Sequence, residues 1–289
     1  MDAKAIAVSL DERSKGYKEY PMTDKREDSP NILQFKTADG KIETVEITQS
    51  RGYRIVKRFF DIVLSLIALI VLSPVFLVTA IAIRLEDGEP VIFTQDRSGL
   101  DGSVFKMYKF RSMVKNAPEL HKELLAQNEL DGPAFKMKDD PRITKVGKFI
   151  RKTSIDELPQ LVNIIKGDMS IVGPRPLPYN YLPWFKDEER VRHKVRGGLT
   201  GLAQVNGRNT AKWEKRFKYD KDYVENLSFL MDIKILFKTI KVVFEHKDIG
   251  ARGVDAPPDF HVYRSGLTEK ELLERGKSSE AKKTINAQR

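Results

Sequence analysis

The stretch KRFFDIVLSLIALIVLSPVFLVTAIAIR, residues 57–84, restricts what this chain can become more than any other part of it. Between Phe59 and Ile83 only Asp61 would be ionised, and a bilayer-spanning helix takes roughly 20 apolar residues. Basic residues close both ends, and Ser73-Pro74 stands in the middle. Proline lacks an N–H and its ring meets the carbonyl four residues back, so a helix over this run must kink or break there. Ser73 can offer its hydroxyl to a freed carbonyl. The halves, of roughly fifteen and ten residues, are each too short to span. Arg51, Arg54, Lys57 and Arg58 precede the run, and Arg84, Arg97, Lys106 and Lys109 follow it, so neither end is preferred outside. The expectation is a re-entrant helix–break–helix returning to its starting side. A kinked single span and a buried core helix are the alternatives, the latter weakened by the lack of a solvent face.

The rest of the 289 residues is polar, with 32% charged residues and a net charge of +10. Such a balance calls for an acidic partner: nucleic acid, anionic headgroups or a polyphosphorylated substrate. The apolar run favours the last two. With no cysteine, disulfide frameworks and cysteine-based zinc or redox chemistry are excluded. His121, His193, His246 and His261 are scattered, so no histidine metal cluster is visible. Residues 1–30 are charged, carry no signal-peptide core and are expected to be mobile.

Two alternating segments, Ile32–Lys36 and Ile42–Ile47, flank Asp39-Gly40 and predict a small hairpin. After the apolar run, Val91, Ile92 and Phe93, then Val104, Phe105, Met107 and Tyr108, read as two strands around residues 99–102. Alternation puts Lys109 and Arg111 on one face, where they could hold a diphosphate or simply be solvated. Residues 114–141 read as polar and partly helical. Residues 183–195 read as a charged helical segment, and Phe217 to Glu245 as a basic amphipathic one, with Leu227, Leu230, Ile233, Leu236 and Val243 among lysines. That segment could cover a core or lie in a membrane interface.

Residues 142–176 are the most informative. Ser154-Ile155-Asp156-Glu157 fits the S-x-x-E capping box and predicts a helix that begins there, buries Leu158, Leu161, Val162 and Ile165, and stops at Gly167. Asp156 and Glu157 would then sit in its first turn, ionised, as a nucleophile or metal ligand requires. Acidic residues are ordinary at that position, and Glu157 could merely cap. Nearby Lys148, Arg151 and Lys152, and Arg175 held between Pro174 and Pro176, shift the balance towards phosphate chemistry. RGGLTGLAQVNGRN, residues 196–209, is a glycine-rich loop in which Arg208 is the candidate ligand contact, but it fits no dinucleotide or P-loop pattern.

Over roughly residues 53–249 these elements together resemble the bacterial sugar transferases, the monotopic phosphoglycosyl transferases that act on polyprenyl phosphate. The resemblance rests on KRFFD, the mid-run Ser-Pro, VIFTQDRSG, YKFRSM, TSIDELPQL, KGDMSIVGPRP and RHKVRGGLTGLAQVNGRN, in that order. Gly197, where the family often has proline, is a departure that bears on loop stiffness. The resemblance implies an α/β fold, mostly α with a small sheet, in a monotopic membrane protein. A mobile extension (1–50), a re-entrant helix (51–86), a catalytic domain (87–249) and a polar appendage (250–289) would follow one another. It also implies transfer of a sugar 1-phosphate from a UDP-sugar to undecaprenyl phosphate at the cytoplasmic face of the bacterial inner membrane, with Mg²⁺ as cofactor, starting a surface glycan. Asp156 would be the nucleophile. Glu157 would serve as metal ligand or proton carrier, with Asp156 also near the metal, and Lys109, Arg111, Arg151, Arg175 and Arg208 would hold phosphates. Self-association is left open. A tethered nucleic-acid binder would explain the charge, but aromatic residues are not grouped with basic ones as a stacking surface needs. A non-catalytic scaffold would leave the Asp156-Glu157 setting unexplained.

Overall fold

In a computed structural model of the chain, the described residues are 32–36, 42–46, 50–120, 140–207, 211–244 and 260–266. The expectations for residues 1–30, for most of the 114–141 segment, for the Asp39-Gly40 turn, for Arg208 and for most of the 250–289 appendage lie outside them. The fold is mostly helical with three two-stranded sheets, an α/β arrangement. β1 (Ile32–Lys36) and β2 (Ile42–Glu46) pair antiparallel with Gln34 opposite Thr44, as their alternation predicts.

The apolar run forms α1 (Arg51–Val71) and α2 (Ser73–Asp87), bent by 61° at the break. The cause is local. Pro74 cannot donate to the carbonyl of Ile70, its helical partner four residues back, and the Ser73 hydroxyl donates to that carbonyl instead at 2.8 Å. Among the described residues no single helix is long and apolar enough to cross a membrane, but the bent pair reaches that length and composition together. Its burial is inverted relative to a soluble helix. Asp61, Ser65 and Thr79 are buried, while Phe59, Ile67, Ile70, Val71, Leu77, Val78 and Leu85 are exposed. A continuous exposed surface of this kind marks a face that meets something apolar.

The foot of α1 is tied into the domain by polar side chains. Arg58 donates to the carbonyls of Ile164 and Ile165 at 2.5 and 2.7 Å, satisfying acceptors at the end of α4 (Gln160–Lys166). Asp61 accepts from the Ser170 hydroxyl and the Ile171 N–H at 3.1 and 3.0 Å. Lys57 pairs with Asp232 at 2.5 Å, and Tyr53 and Tyr223 donate to the same carboxylate.

β3 (Ile92–Ser98) and β4 (Val104–Phe110) form the predicted hairpin, with Phe93 opposite Lys109. The buried face of β4, Phe105 and Met107, packs with Leu161, Ile164 and Met169. β5 (Met169–Val172) runs parallel to β6 (Gly197–Thr200), and between them the chain makes turns of tight helix over Tyr179–Trp184 and Asp187–Lys194. The glycines of this region serve the backbone itself. A Cβ on Gly198 would lie 2.1 Å from the Gly173 nitrogen, and one on Gly197 would lie 2.4 Å from Pro176 Cγ. A side chain at 197 would meet Pro176, so glycine at that departure makes room for the close approach.

The amphipathic segment is not one helix. α6 (Trp213–Glu225) ends at Asn226, and α7 (Phe229–Phe244) restarts after Ser228, whose hydroxyl accepts from the Met231 N–H at 3.2 Å. Ile235 is buried against Val172, Val191 and Tyr223, whereas Leu230, Ile233, Phe237 and Ile240 form an exposed apolar stripe. α7 therefore covers a core with one face and leaves a second apolar face uncovered. Two short helices complete the described fold, α5 (Leu202–Gly207) and α8 (Phe260–Ser265), with α3 (Lys145–Lys152) preceding the acidic pair.

Candidate active site

The predicted helix start at Ser154 is not made. Ser154 lies in the left-handed region (φ 59, ψ 15) and its side chain caps nothing. A helix begun there would carry Pro159 in its interior, where the ring clashes with the preceding turn. The chain instead makes one tight turn, Ile155–Glu157, and α4 starts afresh behind Pro159. The buried face shifts accordingly. Gln160, Leu161, Asn163 and Ile164 point inward, Leu158 is half-buried and Val162 is exposed. The stop at Gly167 stands, with φ 97 there. A left-handed non-glycine residue costs roughly 1–2 kcal/mol, and such strain is characteristic of functional sites. Here it turns the acidic pair toward a cavity.

That cavity has a volume of about 480 Å³, and Asp156, Glu157, Arg151 and Arg175 all line it. Asp156 is buried, 6% exposed. Glu157 is gripped from two directions. Lys109 of β4 reaches it at 3.0 Å, and Arg175 donates to both of its oxygens. Burial alone would push the Glu157 carboxyl up, yet the charges of Arg175 and Lys109 hold it well below the usual carboxylate range. The grip continues beyond Arg175. Its backbone carbonyl accepts from Arg192 at 2.6 Å, and Arg192 pairs with Asp220 of α6 at 3.0 Å.

The predicted residues therefore divide. Asp156, Glu157, Arg151 and Arg175 meet at the cavity, and Lys109 joins them through Glu157. Arg111 does not. It lies just past the end of β4, 7% exposed, and donates to the carbonyls of Asp87 and Gly88 with an ion pair to Asp87 at 3.2 Å. The shared face with Lys109 is lost because the strand ends at Phe110, and Arg111 ties down the end of α2. Sequence reasoning missed Arg192, Trp213, Arg216, Phe217 and Asp220, all cavity-lining. A signal was present: 213, 216, 217 and 220 have helical spacing and combine aromatic with charged side chains on one face. Burial, and next the charge of Arg175, push the Arg216 guanidinium below its ordinary value.

Leu199, Ala203, Leu236 and Val242 also line the cavity. One chamber can thus offer both charged and apolar side chains to a ligand. Among the described residues no three histidine, aspartate or glutamate side chains converge as a metal cage.

The family described as bacterial sugar transferase matches residues 52–246. The chain belongs to that family. As a member of it, this sugar transferase is an enzyme. It is 45% identical over 195 residues to the uncharacterized sugar transferase EpsL of Bacillus subtilis, covering 68% of this chain and 90% of that protein. It is 48% identical over 197 residues to an undecaprenyl-phosphate galactose phosphotransferase of Salmonella typhimurium, covering 67% and 41%. Against a UDP-glucose:undecaprenyl-phosphate glucose-1-phosphate transferase of Klebsiella pneumoniae it is 40% identical over 229 residues, covering 75% and 47%. The sugar transferase spans less than half the length of these last two relatives.

Proposed function

We propose that this sugar transferase moves a sugar 1-phosphate from a UDP-sugar to undecaprenyl phosphate and releases UMP. The observation that carries the reading is the Asp156-Glu157 turn, set among arginines in a chamber that apolar side chains also line. The relatives' names, which speak of undecaprenyl phosphate and sugar phosphotransfer, point the same way.

Asp156 and Glu157 take different parts. Glu157 is held ionised by Lys109 and Arg175, so it organises the cations and does not carry a proton. Asp156 is the nucleophile. A carboxylate oxygen attacks the sugar-bearing phosphorus. The bond from that phosphorus to the bridging oxygen breaks, and UMP leaves with the electron pair. A phosphate oxygen of the lipid then attacks the same phosphorus, breaks its bond to Asp156 and restores the carboxylate. Splitting the transfer this way gives ping-pong kinetics. Arg175 and Lys109 stabilise charge that builds on the transferring phosphoryl group. Mg²⁺ suits the donor set, since that ion commonly takes one or two carboxylates and completes its shell with phosphates and water. Asp156 and Glu157 would be the residues to hold it, Glu157 by giving up a contact to Lys109 or Arg175, and when bound it would neutralise diphosphate charge. The apolar lining of the chamber receives the lipid.

In this reading α1 and α2 enter the inner membrane and return. The exposed stripe of α7 lies in the interface, and the catalytic residues face the cytoplasm, where the transfer starts a surface glycan. The wild-type chain has no cysteine, so Arg51→Cys and Leu100→Cys can be labelled singly. Both are expected to react with an impermeant reagent only from the cytoplasmic side. Labelling from opposite sides would make the pair a true span. For the reaction, a panel of UDP-sugars with undecaprenyl phosphate is expected to give UMP release with one or a few members, and silence across the panel would overturn the assignment.

A further inference from the structure

The cavity has a charged lining that the transfer chemistry above uses only in part. Arg216 stands on α6, and its guanidinium lies over the Trp213 ring at 4.6 Å from the centroid. Its Nε donates to the Ala211 carbonyl at 2.9 Å. These contacts set the plane and direction of a side chain that otherwise has large rotamer freedom. Trp213 is itself immobilised from behind. Phe260 of α8, fully buried, packs at 5.1 Å from both Trp213 and Phe217. Residue 260 lies beyond the family match, which ends at 246.

Charge shows what this lining is suited to bind. Arg151, Arg175, Arg192 and Arg216 line the cavity together with Asp156, Glu157 and Asp220. Lys109 adds another cation through Glu157. Glu157 is engaged by Lys109 and Arg175, and Asp220 by Arg192. Cations therefore outnumber carboxylates by two. The two anionic phosphates of a sugar nucleotide suit a lining that is cationic on balance. Arg175 is placed beside Asp156 through Glu157, so it belongs with the phosphorus under attack. Arg216 lines the same cavity from α6, and the second phosphate of a donor held at Arg175 would be the group it meets.

Resting on the proposed transfer, we infer that Arg216 binds the phosphate that leaves as UMP. It receives that group as a planar fork, the geometry with which guanidinium recognises phosphate. Arg216 thereby helps define the donor as a nucleoside diphosphate sugar, because a sugar phosphate lacking the second phosphate would leave its charge unmatched.

The test is calorimetric binding of UMP to the full chain in detergent, with uridine as the ligand lacking phosphate. Arg216→Gln is expected to weaken UMP binding at least about tenfold while uridine binding and the melting temperature stay near wild type, and donor KM rises. Arg216→Lys keeps the charge and loses the fork, so it is expected to fall in between. Wild-type affinity for UMP in Arg216→Gln would overturn the inference. If that variant does not fold, wild-type affinity in Arg216→Lys would overturn it, and a loss of threefold or more would sustain it. UMP binding that depends on Arg216 without turnover of any UDP-sugar would sink the transfer reading and leave this site standing.

Discussion

Asp156→Asn is expected to reduce UMP release by about four orders of magnitude or more, the scale seen when a covalent nucleophile is removed. The amide is nearly isosteric, so folding and binding should survive, and what is lost is the negatively charged oxygen that forms the bond to phosphorus. Two measurements separate this role from a supporting one. A single turnover without lipid acceptor should release up to one UMP per wild-type chain and leave the sugar phosphate on the protein. The variant should show neither the burst nor the mass increase. Release at the wild-type rate would show that phosphorus is attacked by something else. Glu157→Gln is a useful contrast, because it leaves Asp156 intact and disturbs the Lys109 and Arg175 contacts.

The second large effect concerns stability. Asp232 gathers Lys57, Tyr53 and Tyr223 around one carboxylate that is only 10% exposed. Asp232→Ala would strand an ammonium and take an acceptor from two hydroxyls. Removing one partner of a buried pair costs roughly 3–5 kcal/mol, and partial access of water to Lys57, 17% exposed, places the expectation near the lower end. For a chain of this size that is a fall in melting temperature of about 6–12 °C. Lys57→Met combined with Asp232→Leu should recover part of the loss, since apolar replacement of both charges removes the desolvation penalty. If Asp232→Ala melted with the wild type, the foot of α1 would be held by Arg58 and Asp61 alone.

Much of this was legible in the sequence where one residue acts on its own neighbours. Ser73-Pro74 had to break a helix wherever the chain folded, and the Ser73 hydroxyl had a freed carbonyl within reach. The two hairpins followed from alternation, and the stop at Gly167 from the ease with which glycine takes a positive φ. The failures share a cause. The capping-box reading weighed Ser154 and Glu157 but not Pro159, and the same-face reading of Lys109 and Arg111 assumed a strand that ends before Arg111. What Gly197 and Gly198 are needed for, close approach to residues 173–176, was not legible in the glycine-rich loop itself.

The acidic pair and the excess of cations also belonged to the sequence, and with them the call for an acidic partner. Only the tertiary structure decided which of them meet. Lys109, Glu157, Arg175, Arg192 and Asp220 come from five separate segments, and Arg216 lines the same chamber from the first turn of a helix, ahead of the amphipathic segment read from Phe217 onward. Backbone breaks and turns arise from sterics within a few residues. Ion pairs depend on which segments are packed together and how much water is excluded, and no local pattern contains that information.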